Sequence, residues 1–229
     1  LNKEFVLRTA PLKIAGQFFF HISFSYNLAP KVKLIQKPDF FIIWCRKTRR
    51  DKMKILIISS SPRTSGNSEV LCERFAKGAS EAGHEVETLL LREMNIAPCH
   101  ACYSCMETHT CAIQDDMKKV FQKLKAADVI VLASPVYFYS ISAQMKTVID
   151  RCLVNHKSLS HKKFYFIITA ADPQHAAADG TLATFRGFLR CLPDAQEAGI
   201  IYGMGAWDKG DVYRHPAYEQ AYKIGKEIR

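Results

Sequence analysis

The chain has 229 residues, 48 % of them hydrophobic, which allows one sizeable core and favours a single domain over two. Its formal charge of +10 is unevenly spread: residues 1–52 hold 11 Lys/Arg against 3 Asp/Glu, a net +8, whereas residues 53–229 hold 21 against 19, a net +2. That distribution speaks against a nucleic-acid-binding body, and no apolar run nears the roughly 20 residues of a membrane span.

Residues 1–52 show neither clean periodicity nor helix caps. Phe18–Phe20 runs into His21 and Ser23, so no signal-peptide core forms. The stretch is expected to be a basic N-terminal extension outside the fold, its charge concentrated in Arg46, Lys47, Arg49, Arg50 and Lys52. Met53 is expected to open a domain that runs to Arg229. There, Ile55–Ile58 is a short β-branched run, the mark of a strand buried on both faces. A Ser/Pro/Gly loop leads into a helix with Leu71, Phe75, Ala79 and Ala82 on one stripe, stopped by Gly83. Val86–Leu91 predicts a second strand, and residues 92–115 an irregular segment. Asp115 and Asp116 are placed to cap a helix carrying Met117, Val120, Phe121 and Leu124. Val129–Ala133 predicts the third strand, followed by a helix with Ile141, Met145, Val148, Ile149 and Cys152 turned inward. Phe164–Ala170, Leu182–Leu192 and Ile200–Tyr202 predict strand, helix and strand, and Ala217, Ala221, Ile224 and Ile228 mark a last helix. Five strands alternating with helices predict an α/β, doubly wound, five-stranded parallel sheet with helices on both faces.

Ligands in such sheets bind beyond the carboxyl ends of the strands. The first strand ends in Ser59-Ser60-Ser61-Pro62-Arg63-Thr64-Ser65-Gly66-Asn67-Ser68 and runs straight into a helix. Hydroxyls, an Arg, a Gly and a helix N-terminus are what a phosphate monoester requires. The glycine spacing fits neither the P-loop nor the dinucleotide fingerprint. The third strand ends in Ser134-Pro135-Val136-Tyr137-Phe138-Tyr139-Ser140, aromatic surface beside that loop for a flat ring system.

Eight cysteines without an export signal point to reduced thiols and a cytoplasmic location rather than a disulfide framework. Four stand close together as Cys99-x2-Cys102-x2-Cys105-x5-Cys111. Compact Cys-x2-Cys-x2-Cys runs suit a [4Fe–4S] cube better than zinc, which takes two separated pairs. Unligated, redox-active thiols in a covering loop are the other reading. Cys72, Cys152 and Cys191 are expected in the core, and Trp207 at a site rim or on the surface.

The Ser-Pro-Arg-x-x-Gly-Asn-Ser loop, the Ser-Pro-Val-Tyr-Phe segment leading to Ile149-Asp150-Arg151, and the cysteine run before Asp115-Asp116-Met117 resemble the NADPH-dependent FMN reductase family, its iron–sulfur flavoprotein branch in particular. The resemblance covers residues 53–229 and none of 1–52. It implies a flavodoxin-like fold and FMN as the reacting group, with Ser61, Arg63, Ser65, Asn67 and Ser68 around its phosphate. Pro135, Val136, Tyr137 and Phe138 would then contact the isoalloxazine, with Thr169, Ala170 and Ala171 closing the site. It further implies NAD(P)H as electron donor, a small-molecule or protein acceptor, a homodimer or homotetramer, and a cluster on the four cysteines. A flavodoxin-type carrier without substrate turnover is the alternative, disfavoured because carriers are strongly acidic. Ser60 and Ala101 depart from the family, which often has Gly at both places.

Overall fold

A computed structural model describes residues 52–229 in full and, before them, only the backbone of five strands. Leu1–Arg50 and Asp51–Arg229 form separate compact units. In the first, β4 (Val32–Lys37) and β5 (Phe40–Cys45) make an antiparallel hairpin, with β1 (Phe5–Val6) on the other side of β5. A second pair joins β2 (Lys13–Ile14) to β3 (Gln17–Phe18). The arginines and lysines from Arg46 to Arg50 lie outside the described residues.

The second unit is built on β6 (Lys54–Ser59), β7 (Glu85–Leu90), β8 (Val129–Pro135), β9 (Lys163–Ala170) and β10 (Gln196–Met204). All neighbours pair in parallel, in the order β10-β9-β8-β6-β7. Counted from the first strand of this unit the order is 2-1-3-4-5, that of the flavodoxin-like sheet. Alternation sends β6 residues to both faces: Ile55 and Ile57 join one core, Leu56 and Ile58 the other. The first core is completed by α1 (Asn67–Glu81) and α6 (Pro216–Glu227), the second mainly by α3 (Met117–Ala126), α4 (Ala143–Arg151) and α5 (Asp179–Arg190).

Caps fix where the helices begin. Asp115, rather than Asp116, caps α3: its Oδ1 accepts the Met117 N–H at 3.0 Å, while Asp116 Oδ2 accepts the Asn95 N–H at 2.8 Å. Ser142 caps α4, so Ile141 packs into the core from just before the helix. His215 Nδ1 caps α6 ahead of Pro216 at the first helical position. The 92–115 segment contains one five-residue helix, α2 (Ser104–Thr108). Cys72 and Cys152 are buried as expected, and burial pushes the Cys152 thiol up to about 12. Cys191 is exposed, a correction: α5 ends at Arg190, and the thiol lies beyond the buried stripe. No helix among the described residues is long and apolar enough to cross a membrane.

Candidate functional site

Strand order reverses between β6 and β8, so their carboxyl ends leave a crevice there. The loop from Ser61 to Gly66 closes one side of it. Ser61 Oγ accepts the Arg63 N–H at 3.3 Å, and the Gly66 N–H donates to the Arg63 carbonyl at 3.1 Å. A Cβ on Gly66 would sit 2.6 Å from Ser61 Oγ and 3.1 Å from the Arg63 carbonyl, so only glycine lets α1 begin this close to the loop. Gly66 occupies the N-cap position and no side chain caps the helix, which leaves first-turn N–H groups for an incoming anion. Glu69 in that turn would oppose an anion, but it is buried and held by Arg92 at 2.8 and 3.0 Å. Its Oε2 also accepts the N–H of Ser65, which stands at φ 53°.

Hydroxyls lock the loop to the next strand. Ser142 Oγ donates to Ser60 Oγ at 2.8 Å, and Ser60 Oγ donates to the Ala133 carbonyl at 3.0 Å. Ser134 Oγ accepts the Ser142 N–H at 2.9 Å. The hydroxyl of Ser60 therefore closes a buried chain from β6 to the start of α4.

One cavity of about 250 Å³ gathers most of the expected residues. Ser61, Arg63, Asn67 and Ser68 line it from the first loop, Pro135, Val136 and Tyr137 from the end of β8, and Thr169, Ala170 and Ala171 from the end of β9. Ser65 and Phe138 do not line it. Phe138 and Tyr139 form a turn with φ of 47° and 59° that carries Phe138 fully into solvent. Asn67 has a use that sequence reasoning missed. Its Nδ2 donates to the carbonyls of Ala206 and Asp208 at 3.2 and 2.8 Å, and its Oδ1 accepts the Gly210 N–H at 3.1 Å. That anchor brings Ala206 and Trp207 to the cavity wall, where Arg63 Nη1 donates to the Trp207 carbonyl at 3.1 Å. Ser68 Oγ and Thr169 Oγ1 share a buried hydrogen bond of 2.6 Å that joins α1 to β9.

The cysteine segment is a loop with zipped stems. Asn95 and Asp116 exchange two hydrogen bonds, and the Ala97 N–H donates to Asp115 Oδ2 at 2.9 Å. Left-handed residues Ala101, Tyr103 and His109 curl the exposed tip. The Ala101 N–H approaches Cys99 Sγ at 3.4 Å, and the Ser104 hydroxyl, 3.6 Å from Cys102 Sγ, holds that thiol below its ordinary pKa. Burial raises Cys105, and Cys111, Cys102 and Cys99 lie near enough to raise it further by charge. Among the described residues no group of three or more His, Cys, Asp or Glu stands in position to hold a metal ion. Cys99, Cys102 and Cys111 lie about Cys105 on this one curled loop, four sulfur donors in all, the number and kind that a [4Fe–4S] cube takes.

The profile of the NADPH-dependent FMN reductase family matches residues 53–192. The chain belongs to that family. This NADPH-dependent FMN reductase family member is 39 % identical over 102 residues to an iron-sulfur flavoprotein of Methanosarcina thermophila, a match covering 44 % of this chain and 53 % of that protein. It is 41 % identical over 99 residues to an iron-sulfur flavoprotein of Methanocaldococcus jannaschii, covering 43 % of this chain and 51 % of the other. The chain thus matches about half the length of these curated relatives. The fold is shared with an NAD(P)H:quinone oxidoreductase from Methanothermobacter marburgensis at a TM-score of 0.64 and 18 % identity, covering 78 % of this chain and 98 % of that one.

Proposed function

We propose that this protein is an FMN-dependent NAD(P)H oxidoreductase that passes electrons to a quinone, flavin or other acceptor, with a [4Fe–4S] cluster on Cys99, Cys102, Cys105 and Cys111. The observation that carries the reading is the single cavity in which the uncapped start of α1 and the aromatic end of β8 meet at the reversal of strand order. In this reading the first-turn amides of α1, Ser61 and Arg63 bind the phosphate, and Arg63 offsets its charge. Asn67 acts through the 206–210 loop, which it positions against Arg63. Pro135 to Tyr137 and Ala170 supply the apolar wall and backbone groups for the ring. Bound FMN would supply hydride acceptance from NAD(P)H and electron release to the acceptor. The residues present contribute position, shielding and charge, with no acid or base required.

The solvent-exposed Phe138 and Tyr139 favour a subunit contact at this rim, in line with a homodimer or homotetramer. The net +2 of residues 53–229 favours an enzyme over an acidic carrier. Protein purified without oxygen should show flavin absorbance and oxidise NAD(P)H in the steady state with a quinone or ferricyanide. Bound flavin with no turnover on any donor would leave the carrier; no flavin binding would refute both.

A further inference from the structure

Arg151, at the end of α4, is 3 % exposed, and its guanidinium crosses to the base of the cysteine loop. Nη1 donates to the Ala97 carbonyl at 2.6 Å and to Asp115 Oδ2 at 2.8 Å; Nη2 donates to Asp115 Oδ1 at 3.0 Å. One cation thus ties together the irregular segment entering the loop and the one leaving it. Its Nε is buried and has no hydrogen-bond partner. Cys111 and Arg151 share the wall of a cavity of about 190 Å³ behind the loop. Burial lowers the Arg151 pKa, but hydrogen bonding to Asp115 and the charge of Cys111 raise it further, so the cation is favoured.

A clamp needs no charge. Apolar residues of similar volume often hold such a junction as well as a buried ion pair or better, because desolvating two charges is costly. What apolar residues cannot supply is a fixed cation and a spare N–H donor beside a thiolate.

We propose that Arg151 is a positioning residue for the cluster, directing its guanidinium at the Cys111 sulfur and so raising the cluster's reduction potential, with Asp115 setting how much of that charge the sulfur feels. The proposal rests on the cluster assignment made above. Reduction adds negative charge to a centre already held by four thiolates, so a nearby cation and an N–H donor to sulfur favour the reduced form. Removing the cation must shift the potential down, and neutralising Asp115 alone must shift it up.

The test uses the full chain after anaerobic reconstitution, with iron and sulfide counted per chain and the potential read by a reductive titration followed by electron paramagnetic resonance. Wild type is compared with Arg151→Lys, Asp115→Asn and the neutral pair Arg151→Gln/Asp115→Asn, which keeps the hydrogen-bonding shapes. The expected result is similar iron and sulfide in all four. The neutral pair should have its reduction equilibrium lowered about tenfold, about 59 mV for one electron. Arg151→Lys should fall less, and Asp115→Asn should move the other way. Equal potentials in wild type and the neutral pair overturn the proposal. So does a neutral pair that folds and keeps FMN but loses its iron, because the ion pair is then a loop clamp only. Wild type without iron or sulfide takes down the cluster assignment and this proposal together, a result distinct from an intact cluster whose potential does not move.

Discussion

Arg63 and Ser60 sit three residues apart and do different work. Arg63 spends one N–H on the Trp207 carbonyl and is otherwise exposed, so its removal should leave the fold intact. Arg63→Ala should weaken FMN binding by about 1.5–3 kcal/mol, roughly 10- to 100-fold, read by fluorescence titration of the apoprotein. Unchanged affinity would remove Arg63 from the phosphate site. Ser60→Ala should act on stability instead. It strands the buried Ser142 hydroxyl and frees the Ala133 carbonyl of one donor, at about 1–3 kcal/mol in denaturant unfolding. The first-loop wall of the cavity was legible in the sequence because its hydroxyls, Arg and Gly are contiguous at a strand end. The roles of Asn67 and Glu69 were not. Their partners lie at residues 206–210 and at Arg92, and no local pattern announces a contact over that separation. Phe138 illustrates the converse: an aromatic in the right segment still points away, because the turn's left-handed backbone carries it outward.

At the scale of elements, apolar stripes gave the right helices and left their ends to be decided by caps. The stripe Leu182–Leu192 locates α5, yet the helix starts at Asp179, since the first turn faces solvent in part and carries no stripe of its own. What periodicity cannot show is how closely two helices approach. Gly78 in α1 and Gly225 in α6 face each other's backbones: added Cβ atoms would lie 2.1 Å from the Tyr222 carbonyl oxygen and 2.2 Å from that of Phe75. Alanine at position 78 gains about 1 kcal/mol in helix propensity. It must also push α6 off α1, and overpacking against backbone costs about 1–3 kcal/mol or more. Gly78→Ala should therefore lower the thermal midpoint, whereas Gly187→Ala, with open space around its added Cβ, should not.

For the molecule as a whole, alternation of elements was enough to predict a parallel, doubly wound sheet, since parallel neighbours need right-handed crossovers, whereas its flavodoxin-like order was implied by the family resemblance. The basic stretch gave no such pattern, and its hairpin of β4 and β5 depends on pairing rather than on periodicity. A chain beginning at Met53 should fold, bind flavin and turn over like the full one, checked by circular dichroism and NAD(P)H oxidation; loss of flavin would join the first unit to the site. The α1–α6 crossing has a consequence in time. Residues 67–81 can complete their face of the core only after residues 216–227 exist. At about 5–20 residues per second of synthesis, Phe75, Ala79 and the strand residues beneath them stay uncovered for on the order of ten seconds. During that interval the nascent chain presents a half-finished sheet, the kind of surface that chaperones bind and that aggregation begins on. A ribosome stalled before Pro216 should hold a chain that protease digests, and one stalled well beyond Arg229 a chain that resists it.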